Sequence, residues 1–164
     1  MKPLFRKVGL TVHLIFSVGW LGAVIAYLPL AVTGLTTTDP DKVRIAYGAM
    51  EQIGWFAIIP LCLGSLVTGL WQSLTTEWGL FRHYWIIAKL VLTLISTIIL
   101  LLHMPAVSRV AAMASEMTLP IAAPGVLRTQ LLVHAVGGLV VLVAITAISI
   151  FKPWGKIQRA RASV

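Results

Sequence analysis

Acidic residues are scarce in this 164-residue chain, with five Asp and Glu against thirteen Lys and Arg. All five lie outside the apolar cores, so no pair of carboxylates is placed for acid–base catalysis there. A single cysteine, Cys62, excludes an intrachain disulfide and any cysteine-based zinc or iron–sulfur motif. There is no phosphate-binding glycine loop, no Ser–His–Asp set, no internal repeat and no low-complexity tract. Charged residues make up only 11%, and a mean hydropathy of +0.94 excludes an ordinary soluble domain. The pI near 10.3 does not indicate nucleic acid, because the basic residues fall at the ends of apolar segments and not on one solvated face.

What the chain has in abundance is apolar sequence, at 59%. Four segments, at about 8–34, 51–73, 84–105 and 127–151, each reach the ~20 residues that cross ~30 Å of hydrocarbon. The expectation is one all-α domain over residues 1–164, a four-transmembrane-helix bundle in a lipid bilayer, with a homo-oligomer compatible with it. The first apolar run is longer than that of a signal peptide and reads as a retained helix. Lys2, Arg6, Lys7, Arg82, Lys152, Lys156, Arg159 and Arg161 face only Glu77 on one side. Lys42, Arg44, Arg109 and Arg128 face Asp39, Asp41, Glu51 and Glu116 on the other. That imbalance puts both termini in the cytoplasm of a multi-pass protein of a bacterial-type inner membrane.

Local signals refine the helices. Thr38 or Asp39 is placed to cap a second helix that starts near Pro40 as an amphipathic extension. Pro60 predicts a kink further along it. Beyond the kink, Cys62, Ser65, Gly69 and Gln72 recur at helical spacing as a small, weakly polar stripe suited to close helix contact. Between the third and fourth segments, a short helix on the outer surface is expected, stopped by Pro120 and Pro124.

Ionisable groups inside the apolar segments mark function, and Lys89 is the most costly of them. At 1.5 Å per residue, His13 lies about 12 Å and Lys89 about 8 Å to the cytoplasmic side of the midplane, while His103 and His134 lie about 13 and 8 Å to the outer side. Lys89 and His103 are fourteen residues apart and share a helix face with Trp85, Thr93 and Ser96. Helix bundles hold haem between facing helices through imidazole ligands, so His103 and His134 are a candidate pair for the iron of haem b, with one or two haems in the chain. Gly137 and Gly138 follow His134 where a flat macrocycle needs room. Arg109 or Arg128 is placed for the propionates. His13 is a further iron candidate, and beside it Lys89 is a candidate catalytic group that attracts a porphyrin or quinol carboxylate, or works as acid or base. Two rival readings stand beside this one. Met104, Met113 and Met117 cluster with His103 in the sequence, and thioether with imidazole suits Cu(I), which makes copper binding or transport at the outer face the first alternative. The second is a cofactor-free accessory bundle, in which Lys89 snorkels to the interface and the histidines donate across helix contacts.

Two stretches carry a family resemblance. His13 to Pro29, HLIFSVGWLGAVIAYLP, and His83 to Lys89, HYWIIAK, resemble the CopD-like superfamily of small integral membrane proteins, whose four-helix bacterial members are similar also over Thr68 to Leu90. More distantly the chain resembles the HemJ type of protoporphyrinogen oxidase at His13, Trp20, Gly22, Tyr27, Leu28, Pro29, Trp85 and Lys89. That resemblance implies haem binding and activity at His13 and Lys89. The chain departs from the oxidase after Pro29, where Leu30, Ala31 and Val32 replace an arginine-containing continuation. The combined expectation is a b-type haem protein, oxidoreductase-like or electron-transferring.

Overall fold

The computed structural model describes residues 3–75, 79–120 and 125–155. Lys2, Glu77, Lys156, Arg159 and Arg161 of the charge count, and Pro124 of the expected stop, lie outside the described residues. The described residues form five α-helices: α1 (Pro3–Thr36), α2 (Pro40–Ile53), α3 (Ile59–Thr75), α4 (Tyr84–Ser115) and α5 (Val126–Phe151). α2 and α3 are joined by a π turn, Gly54–Ile58, so the chain presents four helical rods, each long and apolar enough to cross a membrane. This is an all-helical, multi-pass membrane protein.

The rods follow one another around the bundle. α1 packs against the α2–α3 rod and α5, and α4 packs against the same two, which leaves α1 and α4 diagonally opposed. Neighbouring rods are antiparallel. Gly9 meets Trp71, Trp55 meets Ser108, and Arg128 meets Gly34. The start of α1, the end of α3, the start of α4 and the end of α5 are therefore at one end of the bundle, the terminal end; the end of α1, the start of α2, the end of α4 and the start of α5 are at the far end.

α2 starts where its sequence allows. Asp39 takes the cap position and its carboxylate accepts from the backbone N–H of Asp41 at 3.0 Å and of Lys42 at 3.4 Å, with Pro40 in the first turn. The Lys42 amide, above all, together with that of Asp41, holds the Asp39 carboxyl below the usual carboxylate range. A lowered pKa gives stabilisation that is present above the ordinary carboxylate pKa and lost as pH falls through the folded value. Asp39→Ala should therefore speed amide exchange at residues 41–43 at neutral pH, and the gap from the parent protein should close on acidification.

The π turn has a cause in the sequence. Ile59 N–H reaches back to the Gly54 carbonyl, an i→i−5 bond, directly before Pro60, whose nitrogen has no hydrogen to give Phe56. Gly54 also lets Met104 in, since a Cβ there would stand 2.6 Å from the Met104 methyl.

The third rod is longer than its apolar segment. Where the sequence suggests an end near residue 105 and a separate surface helix after it, α4 continues through Pro105 to Ser115. The reason is packing. Met104, Val107, Val110, Ala111 and Ala114 recur at i, i+3, i+4 spacing and bury in one cluster with Val43, Tyr47 and Met50 of α2. That contact outweighs the hydrogen bond Pro105 cannot make.

Candidate functional site

The polar groups of the interior fall into two layers. At the terminal end, α1 and α3 come close together along a seam of small and polar residues. Gln72 Nε2 donates to the Gly9 carbonyl at 2.7 Å, Ser17 and Ser65 share a hydrogen bond of 2.8 Å, and the Phe16 ring covers Gly64. Ser65, Gly69 and Gln72 of the expected stripe all face α1, while Cys62 turns to Thr97 of α4 at 3.1 Å. Gly64→Ala would drive a methyl group into the Phe16 ring. About 1–3 kcal/mol of stability should be lost in detergent unfolding, as for other overpacked contacts.

His13 lies within this seam. Its Nδ1 is 2.9 Å from Thr68 Oγ1, and that hydroxyl gives its own proton to the Gly64 carbonyl at 2.6 Å. Thr68 therefore accepts from His13 Nδ1–H, and the remaining lone pair on Nε2 faces Ser17 Oγ at 3.5 Å. Both ring nitrogens have neighbours that suit an interhelical hydrogen-bonding histidine. Lys89 is half-buried on α4, diagonally across, with its ammonium 5.7 Å from the Trp85 ring.

The far-end layer holds the other two histidines. The His103 and His134 rings stack, with centroids 4.2 Å apart and planes at 23°. His134 Nδ1 is 2.8 Å from the Gln130 carbonyl, which can only accept, so that nitrogen carries the proton and Nε2 keeps its lone pair. His103 Nε2 is buried and has no hydrogen-bond partner. Both rings line a cavity of about 280 Å³ enclosed by α1, α4 and α5, whose other walls include Trp20, Tyr27, Ser96, Leu142 and the bare backbone of Gly137 and Gly138. Space is open at both glycines, where an added Cβ would have no neighbour within 4 Å. The residues fit a flat apolar ligand with one atom to offer an imidazole nitrogen. They do not fit a porphyrin clamped between His103 and His134, because face-stacked rings leave no gap for one.

The other candidates are dispersed. Arg128 is not at a rim: it is 2% exposed, and its guanidinium donates to the Gly34 carbonyl, to the Leu35 and Pro120 carbonyls at 3.2 Å, and to Tyr47 Oη at 3.3 Å. It caps the last turn of α1, where carbonyls lack partners and the helix dipole favours a cation. Arg109 is exposed. The methionines do not converge. Met104 is in the core, Met113 is nine residues, about 13 Å, further along α4, and Met117 is 72% exposed past its end. Among the described residues no group of three or more His, Cys, Asp and Glu is gathered for a metal.

Sequence reasoning did not single out the Arg128–Tyr47–Gly34 cluster. Its one visible sign is a glycine at Gly34 near the end of a helix, where a Cβ would meet the Tyr47 ring at 2.7 Å. Comparison with protein-family models, with curated proteins and with solved structures finds no match.

Proposed function

We propose that this chain binds haem b within the membrane and takes part in one-electron transfer, with His103 as the iron ligand. Support comes from the buried His103 Nε2, which stands without a hydrogen-bond partner on the wall of an otherwise apolar cavity. An unsatisfied buried nitrogen costs about 1–3 kcal/mol, and a metal ligand role is a use that repays keeping it. Haem, when bound, supplies a one-electron couple. The chain's own part is to hold the iron through His103, to exclude water with Trp20, Tyr27 and Leu142, and to leave room at Gly137 and Gly138. His134 orders the His103 ring by stacking, its own tautomer fixed by the Gln130 carbonyl.

The proposal takes in the resemblance to the CopD-like superfamily, with Lys89 as the group that meets the carboxylate of a porphyrin or quinol-type partner. Orientation is part of it too: both termini in the cytoplasm of a bacterial-type inner membrane, on the excess of basic residues at the terminal end. A reporter that works only in the cytoplasm should be active when fused after Val164.

The direct test is a reduced-minus-oxidised spectrum of the protein purified in detergent after expression with ample haem. Soret and α bands at close to one haem per chain are expected. A folded protein without them would overturn the proposal.

A further inference from the structure

Among the described residues the histidine cavity offers an iron one donor and no second. Stacked face to face at 4.2 Å, His103 and His134 cannot take opposite sides of one porphyrin. Met104 also lines the space, but its sulfur lies against Gly54, 2.9 Å from where a Cβ would stand. The rest of the lining is aliphatic residues and glycines, with Ser96, Trp20 and Tyr27. An indole N–H can only donate. A phenolate at Tyr27 would be an anion buried in an apolar wall.

The wall across from His103 belongs to α1, because α1 and α4 are diagonally opposed. The two helices run parallel, and α3 sets their register: Ser17 bonds to Ser65 at 2.8 Å and Thr97 meets Cys62 at 3.1 Å, which puts Trp20 level with Thr97. Counting on from there, Tyr27 falls within about 2 Å of His103 along the bundle axis. Tyr27 is buried, and its hydroxyl makes no hydrogen bond among the described residues. An unpartnered nitrogen on one wall is thus matched by an unpartnered O–H on the other.

The space opens sideways. Its α1 wall is buried, whereas Ile99 of α4 and Val133 and Gly137 of α5 are exposed. Ile99 and Gly138 lie one turn from the stacked pair on their own helices, so the mouth is between α4 and α5 at a depth surrounded by hydrocarbon. That route admits neutral molecules and penalises ions.

Resting on the haem reading above, we propose that the chain gives the iron one axial ligand, His103, and keeps the α1 side of the cavity, with Tyr27 as hydrogen-bond donor, for a neutral diatomic molecule such as CO or NO that enters between α4 and α5. Binding adds one dative bond and moves no electron or proton. Donors and steric access on the side away from the protein ligand decide whether a haem takes such a molecule or only passes electrons.

The haem-loaded protein in detergent provides the test by optical, electron paramagnetic resonance and infrared spectra. The oxidised form should be high-spin, the mark of a single strong axial ligand. CO added to the reduced form should shift the Soret band and saturate at one CO per haem. Tyr27→Phe should raise the C–O stretching frequency, since a donor near the oxygen lowers it. An unchanged stretch would overturn the part given to Tyr27. A haem-loaded protein that is low-spin and indifferent to CO would overturn the proposal alone, and so would CO binding seen only in His134→Ala, which would put the second imidazole on the iron. A folded protein without haem bands would overturn the haem reading and this inference together.

Discussion

Arg128→Ala is expected to lower stability by about 3–5 kcal/mol, more than any other single substitution considered. The side chain sits 2% exposed in the far-end layer and, among the described residues, donates to acceptors on three separate parts of the chain: Gly34 and Leu35 at the end of α1, Tyr47 in α2, and Pro120 after α4. Truncation strands the buried acceptors at Gly34 and Tyr47, and each costs about 1–3 kcal/mol without a donor, before the cavity is counted. Arg128→Lys should recover only part of the loss, because one ammonium cannot spread its hydrogens over the directions a planar guanidinium reaches. Tyr47→Phe should cost less, about 1.5–3 kcal/mol for a hydrogen bond to a charged group. Unfolding titrations of the variants in a mild detergent would rank them, and an Arg128→Ala protein as stable as its parent would show that the contacts carry no energy.

His103→Ala should abolish haem retention, while His134→Ala should leave the haem-to-protein ratio near that of the parent. The asymmetry comes from the geometry of the stack. With rings 4.2 Å apart at 23° and His134 Nδ1 committed to the Gln130 carbonyl, only His103 presents a buried nitrogen without a partner. His134→Ala should instead loosen the orientation of His103 and broaden the spectrum or shift the midpoint potential. Loss of haem from both variants alike would mean that the rings separate to ligate the iron from two sides, the arrangement expected from the sequence. Purification of each variant with haem quantified per chain separates these outcomes.

Much of the fold is legible in the chain because the bilayer permits so few solutions. An apolar run in lipid must satisfy its backbone internally, which makes long helices of the four segments. The Asp39 cap and the α1-facing stripe of Ser65, Gly69 and Gln72 follow from local chemistry in the same way. The end of α4 does not. Pro105 is a valid stop signal, and only the non-local contact of Val107, Val110 and Ala111 with Val43, Tyr47 and Met50 carries the helix past it. Depth counting puts His103 and His134 near one level and they meet, since antiparallel neighbours keep their register. It could not tell an iron-clamping pair from a stacked one, because that depends on side-chain rotation. Arg128 read as a surface charge since its partners are backbone carbonyls and a tyrosine some eighty residues away, none of which advertises a need for a cation.

The position of that arginine bears on how the protein is made. Its acceptors at Gly34 and Leu35 belong to the first rod, and the donor belongs to the last. The donor comes late in the chain, so the end of α1 waits without this cap until α5 packs beside it. Completion of the ring is thus a late event, and a chain truncated before Val126 should be recognisable to quality-control proteases by the open seam between its first and third rods.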